Sequence, residues 1–291
     1  MQLSKEFKQK VLTAILADFE NYGGTKTDYA RRLGIHQTVF SRLLKGETEK
    51  VLSDSKWLLI ANDLGVKVRE DNWKVARTEI YTEVEDNLTF CQEYSKAMIL
   101  VDDCGIGKTF CSRHIVRQKK NAFYIDCSQA KTKQLFIRLL AKTIGVDSTG
   151  RYADVKNTLK TYLAYLEKPL IVLDEAGDLD YTAFLELKEL WNATQGHCGW
   201  YMIGADGLRA KIRRGIQNQK VGYAEIFDRF FDIISLVPQS PKDKEIFYRQ
   251  LIGDVASANL KDKSVVGKYI KKCMDDEKRL RYLETLIKMS V

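Results

Sequence analysis

The chain has 291 residues, enough for two or three domains, and 45% of them are hydrophobic, an ordinary share for filling real cores. Its 47 Lys and Arg against 39 Asp and Glu leave a net charge of +8, a moderate surplus that favours a polyanionic partner, nucleic acid first. Charges interrupt residues 1–21, no later run has the length of a membrane span, and the six cysteines form no CxxC pair; a signal peptide, a membrane protein and a disulfide or cysteine–metal scaffold are thereby excluded.

Reduced thiols in a cytoplasmic protein are the resulting expectation. Only three prolines and no low-complexity tract occur, so domains are expected to be joined by short ordered connections. In chain order, Leu3, Phe7, Val11, Leu12, Ile15, Leu16 and Phe19 recur at helical spacing until Gly23-Gly24 ends the pattern, and helical texture resumes from Thr27 to about Leu64. The texture then changes. Short apolar runs at Ala97–Val101, Ala122–Ile125, Leu170–Leu173, Trp200–Ile203 and Ile233–Val237 alternate with amphipathic stretches at Lys133–Ile144, Tyr152–Leu166, Phe184–Thr194 and Leu208–Gln217. Strands alternating with helices of this length predict parallel β-α units in a three-layer α/β domain. After Pro238 and Pro241 the pattern is wholly helical, over Lys244–Ala256, Ser264–Met274 and Glu277–Met289. The expected division is an all-α head at 1–70, an α/β core at 71–238 and a helical lid at 239–291.

The run Ala97–Val101 leads directly into Asp102-Asp103-Cys104-Gly105-Ile106-Gly107-Lys108-Thr109, with a helix expected from near Phe110. Strand, glycine loop, Lys-Thr and helix make the context of a P-loop. Glycines let backbone N–H groups close on phosphate oxygens, and the helix N-terminus adds unpaired donors. Cys104, Gly105, Ile106, Gly107, Lys108, Thr109 and Phe110 are thus the expected cradle for ATP. Lys108 would reach the β- and γ-phosphates and the Thr109 hydroxyl would hold Mg²⁺. Asp102 stands where the usual pattern has glycine. A second motif, Leu170-Ile171-Val172-Leu173-Asp174-Glu175, is a buried-strand run ending in two acids, the Walker B arrangement. Asp174 is placed for the Mg²⁺ shell and Glu175 for the attacking water.

With a glutamate directly after the Walker B aspartate and a helical tail after the core, the chain resembles the AAA+ ATPases. The resemblance implies a five-stranded parallel sheet, a helical lid and a nucleotide held between neighbouring subunits. It further implies a polar sensor after the fourth strand, for which Asp206 is the candidate because Ala205 is apolar. An arginine finger is expected before the fifth strand, in Asp228-Arg229-Phe230-Phe231-Asp232; Arg229 is the choice, against the alternative that it pairs with Asp228 or Asp232. The lid arginine is Arg281, with Arg279 as competitor. An arginine supplied in trans makes hydrolysis depend on a head-to-tail homo-oligomer, either ring or filament.

Tyr29 to Gly46 resembles the helix-turn-helix of phage-repressor-like proteins: Ala30 is small where helices cross, Gly34 takes the turn, and Phe40 and Leu43 pack the second helix down. Gln37, Thr38, Ser41 and Arg42 are left outward to meet double-stranded DNA, unless the head binds protein instead. Lys119, Lys120, Lys131 and Lys133, near the second strand, either track phosphates on the inner surface of an assembly or form a solvated face. Helix-turn-helix, compact core and minimal lid together resemble the target-DNA-selection ATPases of transposons, the Mu B, TnsC and TniB group. That resemblance implies ATP-dependent polymerisation on DNA, activation of a transposase and disassembly on hydrolysis. A helicase loader, which would lack the repressor-like head, and a nucleotide-sensing transcriptional regulator with one defined operator are the alternatives.

Overall fold

A computed structural model describes residues 3–67, 73–230, 233–275 and 279–289. The head has four helices, α1 (Lys5–Glu20), α2 (Lys26–Arg32), α3 (Gln37–Leu44) and α4 (Asp54–Asp63). Side chains that satisfy their first free N–H groups start them: Ser4, Thr25, His36 and Ser53 each accept from the opening turn, and Thr25 with Asp28 closes a reciprocal capping box. Gly34 makes the turn between α2 and α3 at φ +63°, a left-handed conformation that glycine adopts without a Cβ clash. Phe40 on α3 is fully buried, with the Phe19 and Tyr29 rings each 5.1 Å away. The outward residues Gln37, Thr38, Ser41 and Arg42 are exposed.

Next come α5 (Glu79–Tyr94), β1 (Ala97–Val101), α6 (Lys108–Val116), β2 (Ala122–Asp126), α7 (Lys133–Ile144), α8 (Tyr152–Tyr165), β3 (Leu170–Asp174) and α9 (Tyr181–Ala193). β4 (Gly199–Gly204), α10 (Asp206–Gln217), α11 (Tyr223–Phe227) and β5 (Ile233–Ile234) complete the core, and α12 (Pro241–Asn259), α13 (Val266–Met274) and α14 (Leu280–Met289) form the tail. The sheet is parallel in the order β2-β3-β4-β1-β5, with Ala97 opposite Trp200 and Asp126 opposite Asp174. Every residue of β1, β3 and β4 is buried, as strands covered on both faces require.

Alternate residues of each strand enter different cores. Ile99, Val101, Ile171, Leu173, Trp200 and Met202 share a cluster with α7, α8, α9 and the whole head. Leu100, Val172, Tyr201 and Ile203 pack instead with α5, α6 and the tail helices. The head is thus built onto one face of the sheet and the tail onto the other. Polar ties hold the head in place: Tyr22 OH donates to Ile144 O at 2.8 Å, Gly23 N to Asn121 Oδ1 at 2.7 Å, and Arg31 Nη1 to Gly145 O at 3.0 Å.

The predicted three-layer parallel architecture is the one observed, with three differences in its elements. α5 and α11 were not evident as periodic segments, because α5 carries charged and polar residues between Ile80, Val84 and Leu88, and α11 is one turn long. Among the described residues the β5 ladder covers Ile233–Ile234 and does not run on to Val237, because the N–H groups of Leu236 and Val237 donate to the Asp102 carboxylate instead of to a strand. Glu277, the predicted start of the last helix, lies outside the described residues, and the described helix begins at Leu280.

Candidate functional site

Backbone geometry builds the phosphate loop. Gly105 (φ +77°) and Gly107 (φ +101°) hold left-handed conformations, and the second caps α6, which starts at Lys108, two residues before the predicted Phe110. A Cβ at Gly107 would be strained at that φ. Lys108 is 9% exposed and its Nζ donates to the carbonyls of Asp102 at 2.8 Å and Asp103 at 2.7 Å. Burial pulls its pKa below the usual lysine range, although Asp102, Cys104, Asp174 and Glu175 oppose that shift.

β3 delivers the acids to the same place. Thr109 Oγ1 donates to Asp174 Oδ2 at 2.6 Å, Tyr124 OH on β2 donates to the same oxygen, and Glu175 N donates to Asp174 Oδ1 at 2.9 Å. Burial, then the charge of Asp174, pushes the Tyr124 phenol upward, so it stays a proton donor. The Arg113 guanidinium lies 4.7 Å over the Tyr124 ring and 3.6 Å from Asp126 Oδ2. Glu175 has a left-handed backbone at φ +51°. Burial raises its carboxyl above the usual range, and repulsion from Asp174 and Asp178 adds to the shift.

Lys108, Thr109, Arg113, Asp174 and Glu175 face one cleft of about 810 Å³. Cys104 to Phe110, Asp174, Glu175 and Arg281 all line it, so ten loop, strand and lid positions predicted apart in sequence meet there, together with Gly107's neighbour Leu280. Trp73, Val75 and Ala76 form an apolar wall, and Lys10, Val66 and Lys67 extend the cleft onto the head. Sequence reading missed Trp73, Tyr124, Tyr248 and Lys244. Only Tyr124 left a trace, as the one polar-tipped ring in β2.

Asp206 is exposed as the first residue of α10, directly after Gly204 and Ala205, which line the cleft, and does not itself line it. The chain is still extended at Ala205 and turns into helix immediately after it, so the acid stands in the first turn, where the helix dipole favours negative charge. Arg229 also lies outside the cleft of its own chain. Its guanidinium sits 5.0 Å over the Trp191 ring, with Nη1 buried and without a hydrogen-bond partner among the described residues. Of its two suggested partners, Asp232 and with it Phe231 lie outside the described residues. Arg279 is engaged elsewhere, 3.5 Å from Asp103 Oδ2, which leaves Arg281 as the tail arginine in the cleft.

The basic residues near β2 lie at both ends of that strand. Lys119 donates to Thr89 and Lys120 pairs with Glu167 at the N-terminal end of β2, whereas Lys131 pairs with Asp178 and Lys133 faces the Tyr152 ring beyond its C-terminal end. On the head, Thr38 Oγ1 meets His36 Nδ1 at 2.9 Å, Ser41 Oγ donates to Gln37 O at 3.0 Å, and Arg42 pairs with Glu47 at 2.7 Å.

Comparison with known proteins agrees with this architecture. The AAA domain family profile matches residues 60–212. No curated protein sequence matches the chain. Among solved structures, the Aeropyrum pernix Orc1 protein in complex with DNA is similar in fold, with a TM-score of 0.53 at 16% identity over 74% of this chain and 60% of that one. NtrX from Brucella abortus, solved in complexes with ATP and with ADP, has a TM-score of 0.44 in each case, at 12% and 13% identity. The chain therefore spans 57–60% of the length of these structures. Among the described residues no helix is long and apolar enough to cross a membrane.

Proposed function

The chain belongs to the AAA domain family, and from that premise we propose that it is an ATPase that binds double-stranded DNA in its ATP-loaded form. The observation that carries the ATPase reading is the meeting of Thr109, Asp174 and Tyr124 on one carboxylate beside Lys108 and Glu175. In this reading the Lys108 amine leaves the Asp102 and Asp103 carbonyls for the β- and γ-phosphates. The Thr109 hydroxyl and Asp174 carboxylate are hard oxygen donors that suit Mg²⁺, which would neutralise charge on the transferred phosphoryl group. Tyr124 and the Glu175 N–H fix the orientation of that carboxylate. Glu175 takes the proton of the attacking water, and burial with Asp174 and Asp178 nearby raises its pKa and so its basicity. Arg281 faces the phosphates from its own chain, and Arg229 reaches a neighbour's nucleotide in a head-to-tail assembly.

Residues 1–70 are the DNA reader in this proposal, residues 71–238 the ATPase core and residues 239–291 the lid. An exposed polar face on α3, opposite a buried Phe40 and Leu43, supports major-groove contact through Gln37, Thr38, Ser41 and Arg42. An Orc1 protein of similar fold was solved in complex with DNA, which supports a DNA partner for this chain. The finer role, selecting target DNA and activating a transposase with hydrolysis ending the complex, rests on the resemblance in domain order to the transposon group. The deciding experiment is electron microscopy and co-sedimentation of the protein with random linear duplex in ATP and in ADP. Long, nearly sequence-neutral coverage in ATP alone is the expected result. Equal binding in ADP overturns the switch, and a single bounded footprint indicates an operator-binding regulator.

A further inference from the structure

The two acids at the start of the phosphate loop reach away from the cleft and hold the tail helices. Asp102 is 3% exposed; its Oδ2 accepts from Leu236 N at 2.5 Å and Val237 N at 2.9 Å, on the connection between β5 and α12, and its Oδ1 accepts from Asp103 N at 2.8 Å. Glycine at that position would leave both N–H groups without this acceptor. Asp103 Oδ2 is met by Lys244 Nζ at 2.7 Å and Tyr248 OH at 2.6 Å from α12, and by Arg279 Nη1 at 3.5 Å just before α14. The Arg279 guanidinium lies 3.3 Å from the Tyr248 ring centroid, and its own backbone takes φ +44°, an arrangement that a non-glycine residue holds only when its surroundings require it. Burial would raise the Asp103 carboxyl, but the bonds from Lys244 and Tyr248, with the charges of Lys244 and Arg279, hold it below the usual range.

We infer that Asp103 is a positioning residue: it fastens the tail to the phosphate loop through Lys244, Tyr248 and Arg279, and so decides that Arg281 rather than Arg279 is the tail arginine presented to the cleft. The inference rests on the reading of that cleft as a nucleotide site. Two facts tie the fastening to phosphate binding. Lys108 donates to the carbonyls of the same two residues, so the lysine cannot turn to a phosphate without releasing the peptide that carries Asp103. Arg279 precedes α14 with a left-handed backbone and is held at Asp103 and Tyr248, whereas Arg281, in the first turn of α14, lines the cleft.

The test uses the full-length protein, a fluorescent ATP analogue and amide hydrogen exchange of α12 and α14. Without nucleotide, Asp103→Asn and Lys244→Ala are expected to speed exchange in both helices about three- to tenfold, and Lys244→Arg to restore protection, as loss of a charged hydrogen bond predicts. Unchanged exchange in Asp103→Asn overturns the fastening whatever the nucleotide result. In binding, Arg281→Ala is expected to weaken the analogue about tenfold or more and Arg279→Ala much less; in the Asp103→Asn background the Arg281→Ala loss shrinks because Arg279 is released to substitute. Strictly additive effects overturn the selection of Arg281. A wild-type protein that binds no analogue removes the nucleotide reading, and the exchange measurement then decides the fastening by itself.

Discussion

Thr109 Oγ1 donates to Asp174 Oδ2 at 2.6 Å, joining the first turn of α6 to the end of β3 across 65 residues of sequence. In the proposed function these two oxygens are the ones that hold Mg²⁺. Asp174→Asn is expected to remove the Mg²⁺-dependent gain in ATP affinity while leaving the weak metal-free binding in place. Titration of a fluorescent ATP analogue with and without Mg²⁺ checks this, and a retained Mg²⁺ effect would reassign the ligand.

Glu175→Gln is expected to lower turnover about 10²- to 10⁴-fold without weakening ATP binding, the loss typical of a removed general base. The base works ionised, and burial with Asp174 and Asp178 nearby raises its pKa. Turnover therefore falls as pH drops through that raised value, at a higher pH than for an unperturbed glutamate. The stability effect has the opposite sign. A carboxyl with a raised folded-state pKa is a cost at pH above that value, so Glu175→Gln should keep or raise Tm at pH 8. Steady-state rates across pH and a thermal melt read the two effects separately.

Arg42 is held by Glu47 at 2.7 Å on the face assigned to DNA. Glu47→Gln should free the guanidinium and remove a negative charge, tightening duplex binding at fixed low salt. Arg42→Ala should weaken binding and reduce the slope of log K against log salt by about 1. Fluorescence anisotropy of a labelled duplex over a salt series measures both; no response in either variant would move the DNA face elsewhere.

Phe40→Ala empties the centre of the Phe19, Tyr29 and Phe40 ring cluster and should cost about 3–5 kcal/mol of stability. Ser41→Ala, its exposed neighbour, should stay within about 0.5 kcal/mol. Urea denaturation followed by far-ultraviolet circular dichroism distinguishes them. Equal stabilities would mean that α3 is not packed as described.

Much of the fold was legible because its signals are local. Alternating apolar runs and amphipathic stretches announced the parallel sheet, and the strand Ala97–Val101 has the same limits in sequence and structure. The phosphate loop and the Asp174-Glu175 pair could be read for the same reason: glycine, lysine and paired acids are demanded within a few residues of one another. α5 was hidden because charged and polar residues fill the turns between its buried positions, leaving a weak stripe.

What tertiary structure alone decided is where side chains at a distance go. By sequence Asp102 was merely a missing glycine; folded, it stops β5 by taking the N–H groups of Leu236 and Val237. Arg281 was preferred by sequence with Arg279 as its competitor, and only the fold shows Asp103 and Tyr248 occupying Arg279. Periodicity and motif spacing act through the backbone within a turn or a strand and survive in sequence, whereas hydrogen bonds and ion pairs between residues more than a hundred positions apart exist only once the chain has closed on itself.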